Sequence, residues 1–518
     1  MKIAMITLSI LIISCANQSK QSAQTKPKNV ILMIGDGMGP QQISLLYYFS
    51  QYSKLNVIAP DDFAFQKFND KGSSAISATE PYDKMVVDSA CSATQLAIGE
   101  ASRSEMIGLD KSGNPKKTIL NKAQARGMKV GLVSDTRITH ATPASFASAV
   151  ANRWQESEIA AQMLQTSPDL MYSGGLNQFI PQGEKKNISG IKVTSRRNDN
   201  KNLLELAKKK YHIIHKKDEL DLETDKKVLG LFTNSGMPDA IWQSKNKDNK
   251  ERSIPNLLEM TQSAVNYLDK KSDQGFFLMV EGGQIDWAGH RNDAGTMLHE
   301  LIHFNQTLNW LLDWIEKNPD TLLVVTADHE TGAFGIGYNV HNLPEPVTLK
   351  GSAFGKRKFR PNFNYGDFKV LDQMYLQKKS FHTLWSEFSS LDKKEQTPEK
   401  MKKKIEDSTE FKITLETAKK VLRSKKNKYK NDWHYNLKGD TLPRVDESEA
   451  YYYDAPNIRT ALIGRTINEQ QNVIWGTGGH TATPVTVFAI GGGDYHKKFS
   501  GYLNHRTVGK LMQEYLGL

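Results

Sequence analysis

The sequence predicts an α/β fold: a central, mostly parallel sheet flanked by helices, with a large insertion. Three observations carry that expectation. Short β-branched apolar runs recur without the polar–apolar alternation of a half-exposed strand, as strands buried on both faces do. Helix-like segments separate them, the pattern of parallel strands joined by crossovers. Residues 343 to about 470 break the pattern: they begin LPEPV and carry Lys-rich helical stretches but no buried run.

In chain order, Val30–Ile34, Val130–Val133, Phe276–Val280, Leu322–Thr326 and Val485–Ile490 read as buried parallel strands. Ser145–Trp154, Asn256–Leu268 and Ala294–Trp314 read as helices between them, and Ser89 opens another, SACSATQLAIG. The stretch from about 176 to 255 is polar and Lys-rich, with one strand-like piece at Val228–Phe232. Inside the insertion, Pro398–Glu406 and Leu415–Leu422 read as helices. There is no internal repeat.

The first residues carry a compartment signal. Lys2 precedes an apolar run, Ile3–Ile13, too short to span a bilayer as a mature helix. It ends in Ile12-Ile13-Ser14-Cys15, which resembles a bacterial lipobox. Residues 1–14 then form a lipoprotein signal peptide, and lipidated Cys15 becomes the mature N-terminus. An ordinary signal peptide with an incidental cysteine is the alternative. Residues 15–28 are a polar tether, and 29–518 the folded domain with its insertion at about 343–470. The expected destination is export, with the chain lipid-anchored at a bacterial membrane, on the periplasmic side or at the outer membrane and cell surface. Cys91 is the other of two cysteines, so a lipidated Cys15 leaves no internal disulfide.

The 518 residues are 38% hydrophobic and 24% charged, as in a soluble globular protein, with a formal net charge of +11. That balance suits anionic small substrates or surfaces. No basic stripe with interleaved aromatics exists, so nucleic acid is not the expected partner.

Ligands bind open α/β sheets at the carboxyl ends of the strands. Asp36 follows the first apolar run, Glu281 the third, and Asp328 and His329 the fourth. Ser89 follows the short run MVVD, and His140 and Thr142 lie beyond GLVSD. Carboxylates with imidazoles suit zinc, whereas carboxylates with a hydroxyl suit magnesium. Ser89 at a helix N-terminus sits where backbone N–H groups favour an anion.

Six stretches together resemble the alkaline phosphatase family. They are VILMIGDGMG (30–39), VVDSACSAT (86–94), THATPASFASAVANR (139–153), VEGGQIDWAGH (280–290), VTADHETG (325–332) and TGGHTATPV (477–485). The resemblance spans residue 29 to the C-terminus in family order. It implies an alkaline phosphatase-like sandwich that hydrolyses small phosphate monoesters through a phosphoseryl intermediate on Ser89. Arg153 resembles the guanidinium that grips phosphate, and Asp88 the carboxylate that orients it. Asp286, His290 and His480 resemble the ligands of a first zinc; Asp36, Asp328 and His329 those of a second. Asp36, Thr142 and Glu281 resemble a third site that usually holds magnesium. The implied cofactors are thus two zinc ions and one magnesium ion, and the implied assembly is a homodimer. His140 and Trp287 occupy positions that vary within the family, and His140 is expected to support the third site without ligating its ion.

Other motifs compete. His299-Glu300-Leu301-Ile302-His303 matches H-E-x-x-H, a zinc-protease pattern, but Gln306 and Asn309 replace the Gly and third His of its extended form. Cys91 at a helix start is expected to be a buried apolar side chain. The Lys runs at 402–404 and 425–428 are expected to be solvated faces. A non-catalytic phosphate-binding lipoprotein would lack the nucleophile, the Arg or a ligand, and none is missing. A phosphodiesterase or sulfatase fits the retained Arg153 and third-site residues less well.

Overall fold

The computed structural model describes residues 29–434, 436–446 and 455–518. The signal peptide, Cys15 and the tether lie outside them. Among the described residues no helix is long and apolar enough to cross a membrane.

Ten strands form one sheet. They are β1 (Asn29–Gly35), β2 (Gly72–Ala78), β3 (Lys129–Arg137), β4 (Leu170–Gly174), β5 (Tyr211–Ile214), β6 (Lys227–Leu231), β7 (Phe276–Gly282), β8 (Thr321–Thr326), β9 (Val485–Gly491) and β10 (Gly501–Asn504). Their order is β10-β2-β9-β8-β1-β7-β3-β4-β6-β5. The sheet is mostly parallel, as expected, but β9 corrects the reading of Val485–Ile490 as a parallel strand: it runs antiparallel to both β8 and β2, while the other pairings are parallel. An apolar run reveals burial on both faces but not strand direction.

The reason for continuous apolar runs is visible in β1. Ile31 and Met33 join one apolar cluster, and Val30, Leu32 and Ile34 the other. The first cluster packs against α1 (Pro40–Tyr52) and two helices named below; the second against α2 (Ser89–Ile98), α3 (Ala141–Ala147) and the C-terminal helix His505–Tyr515. Each strand must therefore be apolar on both sides.

Two helices lengthen the expected ones slightly: α4 (Leu257–Lys271), closed at its start by an Asn256/Glu259 capping box, and α6 (Ala294–Lys317), N-capped by Asp293. Between them lies α5 (Gln284–His290). The expected helix Ser145–Trp154 is wrong. α3 covers Ala141–Ala147 and stops at extended Ser148, because Val150 leaves to pair with Ile107. The run MVV before Ser89 is not a strand: Met85 is 81% exposed.

The described residues of 343–470 add no strand to the ten-stranded sheet. Their helices Phe381–Ser389 and Pro398–Ser408 join the first apolar cluster through Phe381, Leu384, Phe388, Met401 and Ile405. Asp293 anchors this layer to α6 by accepting from Phe381 N (2.7 Å) and Gln377 Nε2 (2.8 Å).

Candidate active site

Strand register assembles the carboxylates. Ile34 of β1 lies beside Glu281 of β7 and Thr326 of β8, and Ser134 of β3 also lies beside Glu281. One residue past β1 comes Asp36, whose N–H donates to Gly282 O at 3.2 Å. Two and three residues past β8 come Asp328 and His329. Gly37 makes the intervening turn with φ +73°, and a Cβ there would meet Asp286 Cα at 2.8 Å. Glycine alone permits that approach of α5, and its N–H donates to Asp328 Oδ1 at 3.1 Å.

Three side chains meet beside this edge: Asp286 and His290, one turn apart on α5, and His480. His290 Nε2 is 3.2 Å from Asp286 Oδ2, and His480 Nε2 is 3.6 Å from Asp286 Oδ1. The other ring nitrogens fix the tautomers. His290 Nδ1 lies 2.6 Å from Gly478 O, and His480 Nδ1 2.9 Å from Val87 O. A carbonyl only accepts, so both Nδ1 atoms carry the proton and both Nε2 atoms present lone pairs. Those lone pairs face each other at 3.1 Å. Two acceptors at that distance repel unless a cation lies against them, and imidazoles oriented by a carbonyl are the usual metal-binding arrangement.

The second group is Asp36, Asp328 and His329. His329 Nε2 is 3.5 Å from Asp36 Oδ1, 3.3 Å from Asp328 Oδ2 and 3.2 Å from Ser89 Oγ. Thr331 sets this ring too. Its hydroxyl donates to Asp286 Oδ1 at 2.5 Å, so it accepts from His329 Nδ1 at 3.2 Å. Nε2 is then the free lone pair aimed at the carboxylates and at Ser89.

The third group joins Asp36 to Glu281, Thr142 and His140. Asp36 Oδ1 and Oδ2, Thr142 Oγ1, Glu281 Oε1 and Asp328 Oδ2 are buried with no hydrogen-bond partner. Such a concentration of orphaned oxygens fits hard cations. Glu281 Oε2 is instead held by Ser134 Oγ (2.5 Å) and Thr136 Oγ1 (3.3 Å). Arg153 Nη2 donates to His140 Nε2 at 3.3 Å, which leaves the proton on Nδ1, 4.0 Å from Glu281 Oε1.

The electrostatics agree. Burial pushes Asp36 well above the usual carboxylate range, and the charges of Asp328, Asp286 and Glu281 push the same way. Burial raises Asp328 to about 8, reinforced by Asp286, and raises Glu281 as well. It lowers His480 to about 4 and His329 well below its ordinary value. Asp286 is the exception: although burial raises it, the adjoining His290, His480 and His329 hold it well below the usual carboxylate range. Neutral imidazoles beside the other carboxylates, which resist ionisation, are a donor set that a divalent cation stabilises.

Ser89 is the first residue of α2, and Asp88 is its N-cap, accepting from Ala90 N and Cys91 N. Asp88 also accepts from Glu105 N (2.8 Å) and from Arg153 Nη1 (3.0 Å). The irregular path 148–153 that cuts α3 short is what brings Arg153 beside the helix start. Cys91 is buried, and burial pushes its thiol up, so it is no nucleophile here.

All the predicted site residues lie at this edge. Sequence reasoning missed the supports: Ser134, Thr136 and Thr331. Each lies within or beside a quoted motif, but only the fold shows which ligand its hydroxyl holds. Next to Arg153, His140 and His290 opens a cavity of about 520 Å³, lined also by Trp287.

A family model described as alkaline phosphatase matches residues 27–518. Alkaline phosphatase 3 of Bacillus subtilis is 31% identical over 497 residues, covering 96% of this chain and 90% of that protein. The crystal structure of a cold-active alkaline phosphatase from a Shewanella psychrophile superposes with a TM-score of 0.67 at 26% identity, covering 94% of this chain and 99% of that one. The Thermus thermophilus alkaline phosphatase gives 0.74 at 23% identity over 97% and 95%, a likeness of fold.

Proposed function

The chain belongs to the alkaline phosphatase family and is a phosphomonoester hydrolase, and on that premise we propose that Ser89 is its nucleophile, served by two zinc ions and one magnesium ion. Asp286, His290 and His480 hold the first zinc; Asp36, Asp328 and His329 the second. Asp36, Thr142 and Glu281 hold magnesium. His140 turns an N–H toward that third site, which suits a hydrogen bond to the ion's hydration shell and not direct ligation. When bound, these ions supply Lewis-acid charge and lower the pKa of hydroxyl groups.

The chain's own residues then do the following. Arg153 grips two phosphoryl oxygens, and Asp88 holds its guanidinium in place. Ser89, at the positive end of α2, gives up its proton and attacks phosphorus. A Ser89 Oγ–P bond forms, the ester P–O bond breaks, and the alcohol leaves. Water attacks the phosphoserine from the opposite side, and the Oγ–P bond breaks to release phosphate. The observation that supports this reading best is the cluster of buried, unpartnered oxygens on Asp36, Asp328, Glu281 and Thr142 around His329, whose Nε2 lies 3.2 Å from Ser89 Oγ.

The test is an acid quench during turnover of a labelled monoester. Label recovered on Ser89 is the expected result, and Ser89→Ala should lower kcat by at least on the order of 10³-fold. Label on another residue, or ordinary turnover by the variant, contradicts it. Arg153→Lys should weaken inhibition by inorganic phosphate by about 1.5–3 kcal/mol, read from inhibition constants.

Export, a lipid anchor on Cys15 and homodimerisation are part of the same proposal. Residues 29–518 form the catalytic domain, with 343–470 inserted into it. Cys15→Ser should shift the protein from the detergent to the aqueous phase.

A further inference from the structure

The cavity beside the phosphate site is far larger than a phosphoryl group needs. Its volume, about 520 Å³, falls in the range that encloses a whole drug-sized ligand. Because Arg153 and His290 line it, an ester whose phosphoryl group sits at Arg153 can place its alcohol portion there.

The remaining wall is unusually aromatic. Trp154, Trp242 and Trp287 all line it. Trp287 is fixed: its ring lies so close to Gly236 that a Cβ there would come within 2.6 Å of it, and the Arg291 guanidinium lies 5.8 Å from the ring centroid. Trp154 is 54% exposed, and Arg153 lies 5.7 Å from its ring centroid. Indole faces beside a guanidinium offer stacking and cation–π contacts to a flat π-system.

Two of the charged lining groups already have protein partners. Among the described residues the lining carboxylate is Asp239, and both of its oxygens are engaged: Trp242 N donates at 2.9 Å and Ser380 Oγ at 2.6 Å. Arg137 is likewise committed to Glu156 through two bonds of 2.8 and 2.9 Å.

We propose that this tryptophan-lined cavity is a leaving-group subsite that selects phosphate monoesters of aromatic-bearing alcohols, nucleoside 5′-monophosphates above all. The inference rests on the hydrolysis of monoesters at Ser89 and adds which alcohol is favoured.

Adenosine 5′-monophosphate and ribose 5-phosphate make the test, because both release a primary 5′-alcohol and differ at the base. With the metal-loaded enzyme, kcat/KM should favour the nucleotide by about 5-fold or more, the worth of one base–aromatic stack. Trp242→Ala should erase most of that ratio by raising KM for the nucleotide while leaving ribose 5-phosphate unchanged, and Trp242→Phe should keep it. Trp154→Ala, at a half-exposed site that tolerates truncation, should reduce it independently. Equal kcat/KM for both esters, or variants that slow both alike, overturn the subsite while leaving the hydrolase intact. No turnover of either ester overturns the Ser89 reading and the subsite together.

Discussion

Two clusters of histidine and carboxylate, one built on α5 with His480 added and the other on the next helix, α6, behave differently. In Asp286, His290 and His480, the protein satisfies the outer nitrogens and leaves two lone pairs facing each other at 3.1 Å. In His299, Glu300 and His303, it satisfies what faces inward. His299 Nε2 donates to Tyr375 O at 2.8 Å, and Ser244 Oγ lies 3.0 Å from His303 Nε2. Glu300 Oε1 accepts from Ala240 N at 2.7 Å. Of the two, only the first cluster converges closely enough to hold an ion. A metal motif in sequence is thus a statement about residue types; the hydrogen bonds around it decide whether the electrons are still available.

The contrast breaks most readily at Asp286. Asp286→Ala should lower monoester turnover by about 10²–10³-fold or more and reduce bound zinc, measured by kinetics and metal analysis. Thr331→Val sharpens it, because the hydroxyl orients both Asp286 and His329. Metal affinity should fall by about 10–100-fold in competition with a chelator, with the ligands themselves intact. His299→Leu belongs to the other side of the comparison. It leaves Tyr375 O without its donor and should cost about 1–3 kcal/mol in denaturant unfolding, with metal content unchanged. Glu300→Gln keeps the acceptor for Ala240 N and should leave turnover within about 2-fold. Loss of turnover on either change at His299 or Glu300 would dissolve the distinction.

Much of this was legible in the sequence. The core strands, the helices from 257 and 294, and the polar residues at the strand ends are written as local patterns. β2, β4 and the short edge strands β5 and β10 were not, since Gly72–Ala78 is small and polar and Tyr211–Ile214 is four residues long. The direction of β9 depends on which edge the chain returns to, and no local run encodes that. Helix α3 ends early because Val150 pairs with a residue more than forty positions away. The site residues stood in motifs, but the roles of Ser134, Thr136 and Thr331 needed the register that sets β3, β7 and β8 side by side.

Anomalous scattering at the zinc edge, from a crystal of the metal-replete enzyme, tests the central claim most directly. The account predicts one peak among Asp286, His290 and His480, a second among Asp36, Asp328 and His329, and none at His299 and His303. A peak at His299 and His303, or empty density between the facing nitrogens of His290 and His480, would contradict it.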